Sequence, residues 1–270
     1  MAYPVIDAPY GFKPVNLIGG QVFSGSTRNI PIAYNYGTNI FYGDFVNIAS
    51  GFCAIVANTV ATPTVGVFLG CYYTNPATKQ RLFSQFYPAN TLAGDITAIV
   101  ADDPDTVFKA AVVTAAATAT ISSASAILVG QNMAGNTTTG SVSTGNSAGG
   151  VVGASTSAGN FRVLALVPDT QISTPATYVS GGAPAATSVV VSGLTVGQVL
   201  PIGTDVYNVV AGQLQFTGAT LSSASTVTTT GSTTLTVTSV GTQVAGTVAL
   251  VQTPEVLVKI TFGSHRYYVA

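Results

Sequence analysis

Short runs of β-branched and aromatic residues, each ended by a Gly, Pro, Asn or Asp turn, recur along the chain and leave little room for helices. In the first hundred residues Gln21–Phe23, Asn29–Tyr36, Ile40–Ile48, Phe52–Val56 and Gly66–Tyr73 read as strands. Gly19-Gly20, Tyr42-Gly43-Asp44, Ser50-Gly51 and Thr62-Pro63 supply the breaks between them. Phe83–Pro88 and Asp95–Val100 continue the pattern. Ala101-Asp-Asp-Pro-Asp105 then makes a tight turn, because Asp side chains hydrogen-bond nearby backbone. Strands spaced about 8–12 residues apart point to a barrel or a sandwich.

Beyond Val107 the pattern changes twice. Val107–Val113 reads as a strand, whereas Ala115–Val129 mixes Ala with Thr and Ser and admits a short helix that its Thr content opposes. Gly130 to Gly159 carries almost no large side chain, which leaves an ordered loop and a flexible surface segment as open alternatives. Phe161–Val167 resumes a strand. From Thr170 to Pro254 the only charged residue is Asp205, and Val, Leu and Ile alternate with Thr, Ser and Gly in Ser188–Ser192, Thr233–Ser239 and Thr247–Val251. Ser173–Thr177 and Ser180–Pro184 read as a linker into this segment. Glu255–Phe262 returns to the charged, aromatic style of the beginning.

The expected fold class is therefore all-β: an antiparallel barrel or sandwich body with a second small β module inserted near the C-terminus. Residues 1–169 would form the body with an extended N-terminal arm, 170–254 the Thr-rich module, and 255–270 a final strand returning to the body. Insertion keeps the two ends of a module close together, which suits a protruding element.

Charge narrows the function. Asp, Glu, Lys and Arg make up 6% of the chain, against about 25% in an ordinary soluble domain. Eight basic and nine acidic residues leave a net charge of −1, with the basic ones scattered. Nucleic-acid binding needs a dense basic patch to displace counterions, and attachment to an anionic membrane needs a similar one, so neither is expected. A near-neutral surface associates readily because self-repulsion is weak. Disorder is excluded by a hydrophobic content of 47% that includes 12 Tyr and 12 Phe.

No basic leader with an apolar core opens the chain, and no run of about 20 apolar residues offers a membrane span. The expectation is synthesis in the cytoplasm without export. Cys53 and Cys71 are read as buried free thiols in preference to a disulfide.

Groups suited to catalysis are scarce. His265 is the single histidine and Glu255 the single glutamate. A Ser–His–carboxylate triad would have to use His265, yet no Gly-x-Ser-x-Gly elbow accompanies it. Asp102, Asp103 and Asp105 suggest a cation site, but calcium-loop spacing is missing and a solvated Asp-Pro turn explains them. No phosphate loop is present, and Asn136-Thr137-Thr138 is a glycosylation sequon without an export signal. Tyr34, Tyr36, Phe41, Tyr42, Tyr72, Tyr73, Phe83, Phe86 and Tyr87 suit a β core or subunit contact better than a glycan platform. No enzyme activity, cofactor or metal is expected.

Several N-terminal segments carry a resemblance. Ala8-Pro-Tyr-Gly-Phe-Lys-Pro-Val15, Gly19-Gly20, Tyr34–Gly37 and Ile40-Phe-Tyr-Gly-Asp-Phe-Val46 follow one another in order. Gly66–Thr74, Phe86-Tyr-Pro-Ala89 and Val100–Asp105 continue the series. In this order they resemble the decoration, or cement, proteins of tailed-phage capsids, over about the first 170 residues and the last 16. Thr170–Pro254 departs from that pattern and resembles β modules added to phage surface proteins.

The resemblance implies a virion protein on the outer capsid surface that binds the major capsid protein and holds neighbouring capsomers together. It implies self-association at local symmetry axes, with a trimer favoured over a dimer. Pro4, Pro9, Tyr10, Phe12 and Pro14 would form a capsid-contact arm, since Pro pre-orders an extended chain. The competing reading is a head-fibre or tail component whose inserted module binds a host receptor or glycan.

Overall fold

Alternating burial along short strands organises the whole chain. The structure is a computed structural model that describes residues 9–56, 63–116, 119–156 and 158–267. It is nearly all β, 48% strand and 2% helical, as the alternation and turn spacing predict. The described residues group into two compact units. The larger, the body, comprises Ala8–Thr120, Val129–Ala165 and Val256–Ala270. The smaller, the module, comprises Leu166–Glu255 together with Ile121–Leu128.

The body holds two sheets. In the first, β1 (Phe12–Leu17) pairs antiparallel with β8 (Thr106–Val113), and β9 (Asn132–Asn136), β10 (Gly150–Ser155), β11 (Phe161–Leu166) and β20 (Glu255–Ile260) complete it. The order β8-β10-β9-β11-β20 returns to β8, which closes a five-stranded barrel. β8 explains why its sequence is almost continuously apolar. One edge is shared by β1 and β10, the other is taken by β20, and seven of its eight residues are buried.

The second sheet has the order β2-β7-β5-β3-β4, built from β2 (Arg28–Pro31), β3 (Phe45–Ala49), β4 (Phe52–Ile55), β5 (Gly66–Thr74) and β7 (Thr97–Ala101). β6 (Arg81–Ser84) pairs with β5. Its core gathers Ile40, Val46, Cys53, Phe68, Cys71 and Tyr87, among others.

Three rings join the sheets of the body. Phe12 of β1 stacks on Phe161 of β11 with centroids 4.3 Å apart, and Phe45 of β3 meets both edge-on at 5.6 and 5.3 Å. All three are buried. Gly135 of β9 makes room for them: a Cβ there would lie 2.7 Å from the rings of Phe45 and Phe161. Gly130 to Gly159, read as a loop or surface segment, therefore contributes β9 and β10 to the barrel. Several of its glycines are there for close approach: Gly135 and Gly140 lie against phenylalanine rings, and Gly149, Gly150 and Gly159 against neighbouring backbone.

The module is a six-stranded sheet in the order β16-β15-β19-β12-β13-β18. Its strands are β12 (Ile172–Gly181), β13 (Ser188–Ser192), β15 (Asp205–Val210), β16 (Gln213–Thr220), β18 (Ser232–Thr236) and β19 (Thr247–Gln252). A small ladder of β14 (Val199–Leu200) with β17 (Ser225–Thr226) accompanies it. Val189, Val191, Leu235, Val248 and Leu250 project from alternate positions into its core.

Two local readings need correction. Ser173–Thr177 is no linker but a stretch of β12, paired residue by residue with β19 from Ile172↔Gln252 to Thr177↔Thr247. Pro175 is tolerated because β13 joins the other edge only from Thr177 onward. The short helix admitted over Ala115–Val129 is reduced to one 3-10 turn at Ala126–Leu128.

Taking 170–254 alone as the module leaves out Ile121–Leu128, which a set of hydrogen bonds ties in. Ser123 N–H donates to the Ile202 carbonyl (3.1 Å) and Ala124 N–H to that of Thr253 (2.9 Å). Thr253 N–H donates to Ser123 Oγ at 2.8 Å. Gly203, at φ +84°, lets this segment approach, since a Cβ there would collide with the Ser123 carbonyl.

Candidate functional site

Pro4 lies outside the described residues. Pro9 and Tyr10 are half-buried, and the chain beside them is fixed by Gly11 N–H to Gly149 O (3.0 Å) and Phe12 N–H to Gly43 O (2.9 Å). Lys13 places its ammonium 4.2 Å from the centre of the Tyr10 ring, with that of Lys109 at 5.8 Å. Pro14 is half-buried within β1, opposite Phe108. Phe12 is a correction: at 1% exposure it belongs to the barrel core, where Phe45 and Phe161 enclose it, and it offers no surface to a partner.

What the arm leads into is more exposed. Leu17 N–H donates to Gln21 O, and Asn16 bridges Val22, so residues 16–22 turn back as a hairpin. Val15, Ile18 and Val22 stand out from it at 45%, 47% and 79% exposure.

The chemistry-bearing residues of the body have structural employment. His265 is buried, and its Nδ1 accepts the N–H of Tyr267 at 3.3 Å. Desolvation lowers its pKa below the ordinary imidazole value, against the opposing pull of Asp102. Asp102 takes the Arg28 guanidinium at 2.9 Å and the Tyr267 hydroxyl, while Arg28 also lies over the Tyr267 ring. Asp103 accepts the N–H of Asp105 at 2.9 Å, and Asp105 pairs with Lys259 at 3.4 Å. The three carboxylates thus serve separate partners and share none. Among the described residues no three His, Cys, Asp or Glu side chains are grouped to hold a metal ion.

The other candidates disperse in the same way. Cys53 and Cys71 are free and buried, and burial pushes each thiol up to about 12. Asn136 of the sequon is buried and donates to the carbonyls of Thr114 and Ala116. Phe41, Tyr73 and Tyr87 are core residues, whereas Tyr34 and Phe83 are exposed.

One pocket escapes sequence reasoning. Asn132 of β9, Arg162 of β11, Lys259 of β20, and Thr261, Phe262 and Gly263 beyond it line a cavity of about 300 Å³. Arg162 Nε donates to Asn132 Oδ1 at 3.0 Å, which fixes the guanidinium. A signal did exist: Arg162 sits between buried Phe161 and Val163, and Lys259 between buried Val258 and Ile260. Both are outward positions on strands that prove to be neighbours in the barrel.

Comparison with known proteins finds no family model, no curated relative and no solved structure that matches the chain.

Proposed function

We propose that this chain is a non-catalytic virion protein that decorates the outside of a tailed-phage capsid, binding the major capsid protein as a homo-oligomer. The observation that carries the reading is the exposed aliphatic hairpin of Val15, Ile18 and Val22. It overlaps the first two of the segments that resemble decoration proteins and precedes the others, and those segments all belong to the body. Apolar side chains exposed along one short hairpin suit a contact surface. Covering what remains exposed contributes roughly 1–2 kcal/mol for each, and a capsid lattice multiplies weak contacts. The module, with Asp205 as its only charge from Thr170 to Pro254, suits an outward, solvent-facing position.

The test is the copy number of the chain relative to major capsid protein in purified virions, measured for wild type and Val22→Asp. A ratio near one-to-one that collapses in the variant supports decoration through this hairpin. A handful of copies per particle overturns it in favour of a head-fibre or tail component.

A further inference from the structure

Two of the chain's eight basic residues meet at one pocket. The lining offers an anion the terminal nitrogens of Arg162, the ammonium of Lys259 and the amide of Asn132, with no carboxylate among its residues. Arg162 is held through Nε by Asn132, so its outer N–H pair is presented as a fork, which matches the two oxygens of a carboxylate. Lys259 is partly engaged by Asp105 at 3.4 Å, but Asp105 is 68% exposed and lies outside the lining. An exposed pair of that kind contributes under about 1 kcal/mol, so an incoming anion can displace it. Phe262 is 67% exposed beside these donors and gives the pocket an apolar wall.

The class of anion follows from the rest of the surface. A polyanion needs a track of cations, and none of the other six basic residues lines the pocket. A single charge next to an apolar group fits better. We infer that the pocket formed by Asn132, Arg162, Lys259 and Phe262 receives an acidic side chain of a protein partner, with the Phe262 ring covering an adjacent apolar residue. That the partner is the capsid shell rests on the function proposed above; the pocket chemistry does not.

The experiment titrates the full chain with N-acetyl-Glu-Leu-amide, N-acetyl-Gln-Leu-amide and glucuronate, following backbone amide shifts of residues 132, 162, 259 and 262 by NMR. The Glu peptide should bind about tenfold more tightly than the Gln peptide, the difference carried by charge-assisted hydrogen bonds. Arg162→Gln should abolish that preference, and Phe262→Ala should weaken both peptides. Equal binding of the two peptides, or shifts confined to other residues, overturns the inference. Glucuronate binding as tightly as the Glu peptide also overturns it, because the occupant would then be a sugar acid. Decoration is measured in parallel with Arg162→Gln. Missing peptide binding alongside normal decoration by wild type defeats the pocket and leaves the proposed function standing. Arg162→Gln that loses the Glu preference yet decorates normally sustains the pocket and removes the shell as its partner.

Discussion

The carboxylate of Asp205 accepts the backbone N–H of Ala126 at 2.8 Å and the hydroxyl of Thr220 at 2.7 Å. The one charge between Thr170 and Pro254 is thus spent inside the module, pinning a segment that arrives from 79 residues earlier in the chain. Ser125 Oγ, 3.0 Å from Thr220 Oγ1, extends the network. Removing the carboxylate takes the acceptor from the part-buried Ala126 N–H and leaves the buried Thr220 hydroxyl with Ser125 alone, and each lost bond costs about 1–3 kcal/mol. Asp205→Ala should therefore lower unfolding free energy by about 2–4 kcal/mol in urea titration. Asp205→Asn, which keeps one acceptor, should lose less. Hydrogen exchange supplies the specific readout: the Ala126 amide should lose its protection in Asp205→Ala. Unchanged protection would show that the segment is held by something else.

Acid should stabilise this protein before it harms it. Burial raises the Asp44 pKa to about 6 from 3.8, against hydrogen bonds from Ser147 and from the N–H of Phe41. A carboxyl whose folded pKa is raised binds its proton more tightly when folded. Its contribution is complete below the unfolded value and is lost as pH rises through the folded one. The window thus runs from about pH 4 to 6, with a magnitude of about 2–3 kcal/mol. Burial shifts Asp205 in the same direction. Asp95, lowered by its bonds from Thr74, acts oppositely but is fully exposed and screened. Buried His265, with its lowered pKa, also acts oppositely, so the Asp44 share is read as the difference between wild type and Asp44→Asn. Unfolding midpoints measured across this range should fall with rising pH in the wild type and flatten in Asp44→Asn.

The thiols give a simpler expectation. Cys53 and Cys71 sit in the core of the second sheet at 0% exposure, with burial holding both far from the thiolate form. Neither should react with a disulfide reagent in the native protein, and both should react at once in denaturant. Reaction of one thiol under native conditions would place it at the surface and contradict the packing of β4 or β5.

Strands with large alternating residues are legible because their burial is written locally. Phe161–Val167 and Ser188–Ser192 announce which face is inside without reference to any neighbour. The strands within Gly130–Gly159 are not, because what makes them strands is the bulk of Phe45 and Phe161 beside Gly135. Likewise nothing within Ile121–Leu128 shows that it belongs with the module; that membership is decided by Asp205, Ile202 and Thr253, far along the chain. The pocket is half legible. Arg162 and Lys259 both occupy outward positions in runs assigned to one body, but adjacency of β11 and β20 is a property of barrel closure.

Phe12 separates an arm from a core most sharply. An arm residue contributes little until a partner arrives, so its truncation would leave the isolated protein's stability intact. Phe12 instead stacks on Phe161 at 4.3 Å and meets Phe45 at 5.6 Å, with 1% of its surface exposed. Truncating a buried ring removes its transfer free energy and leaves a cavity that close-packed rings fill poorly, a loss of about 3–5 kcal/mol. Phe12→Ala should therefore destabilise the free chain by that amount, while Tyr10→Ala, made at a half-buried position, should cost clearly less. Phe12→Leu should recover much of the loss by retaining apolar volume. Val22→Asp, at 79% exposure, should leave the unfolding curve almost unchanged while removing any contact made by the hairpin. If Phe12→Ala proved as stable as wild type, the ring would not be packed between β3 and β11, and the arm would regain its claim on this residue.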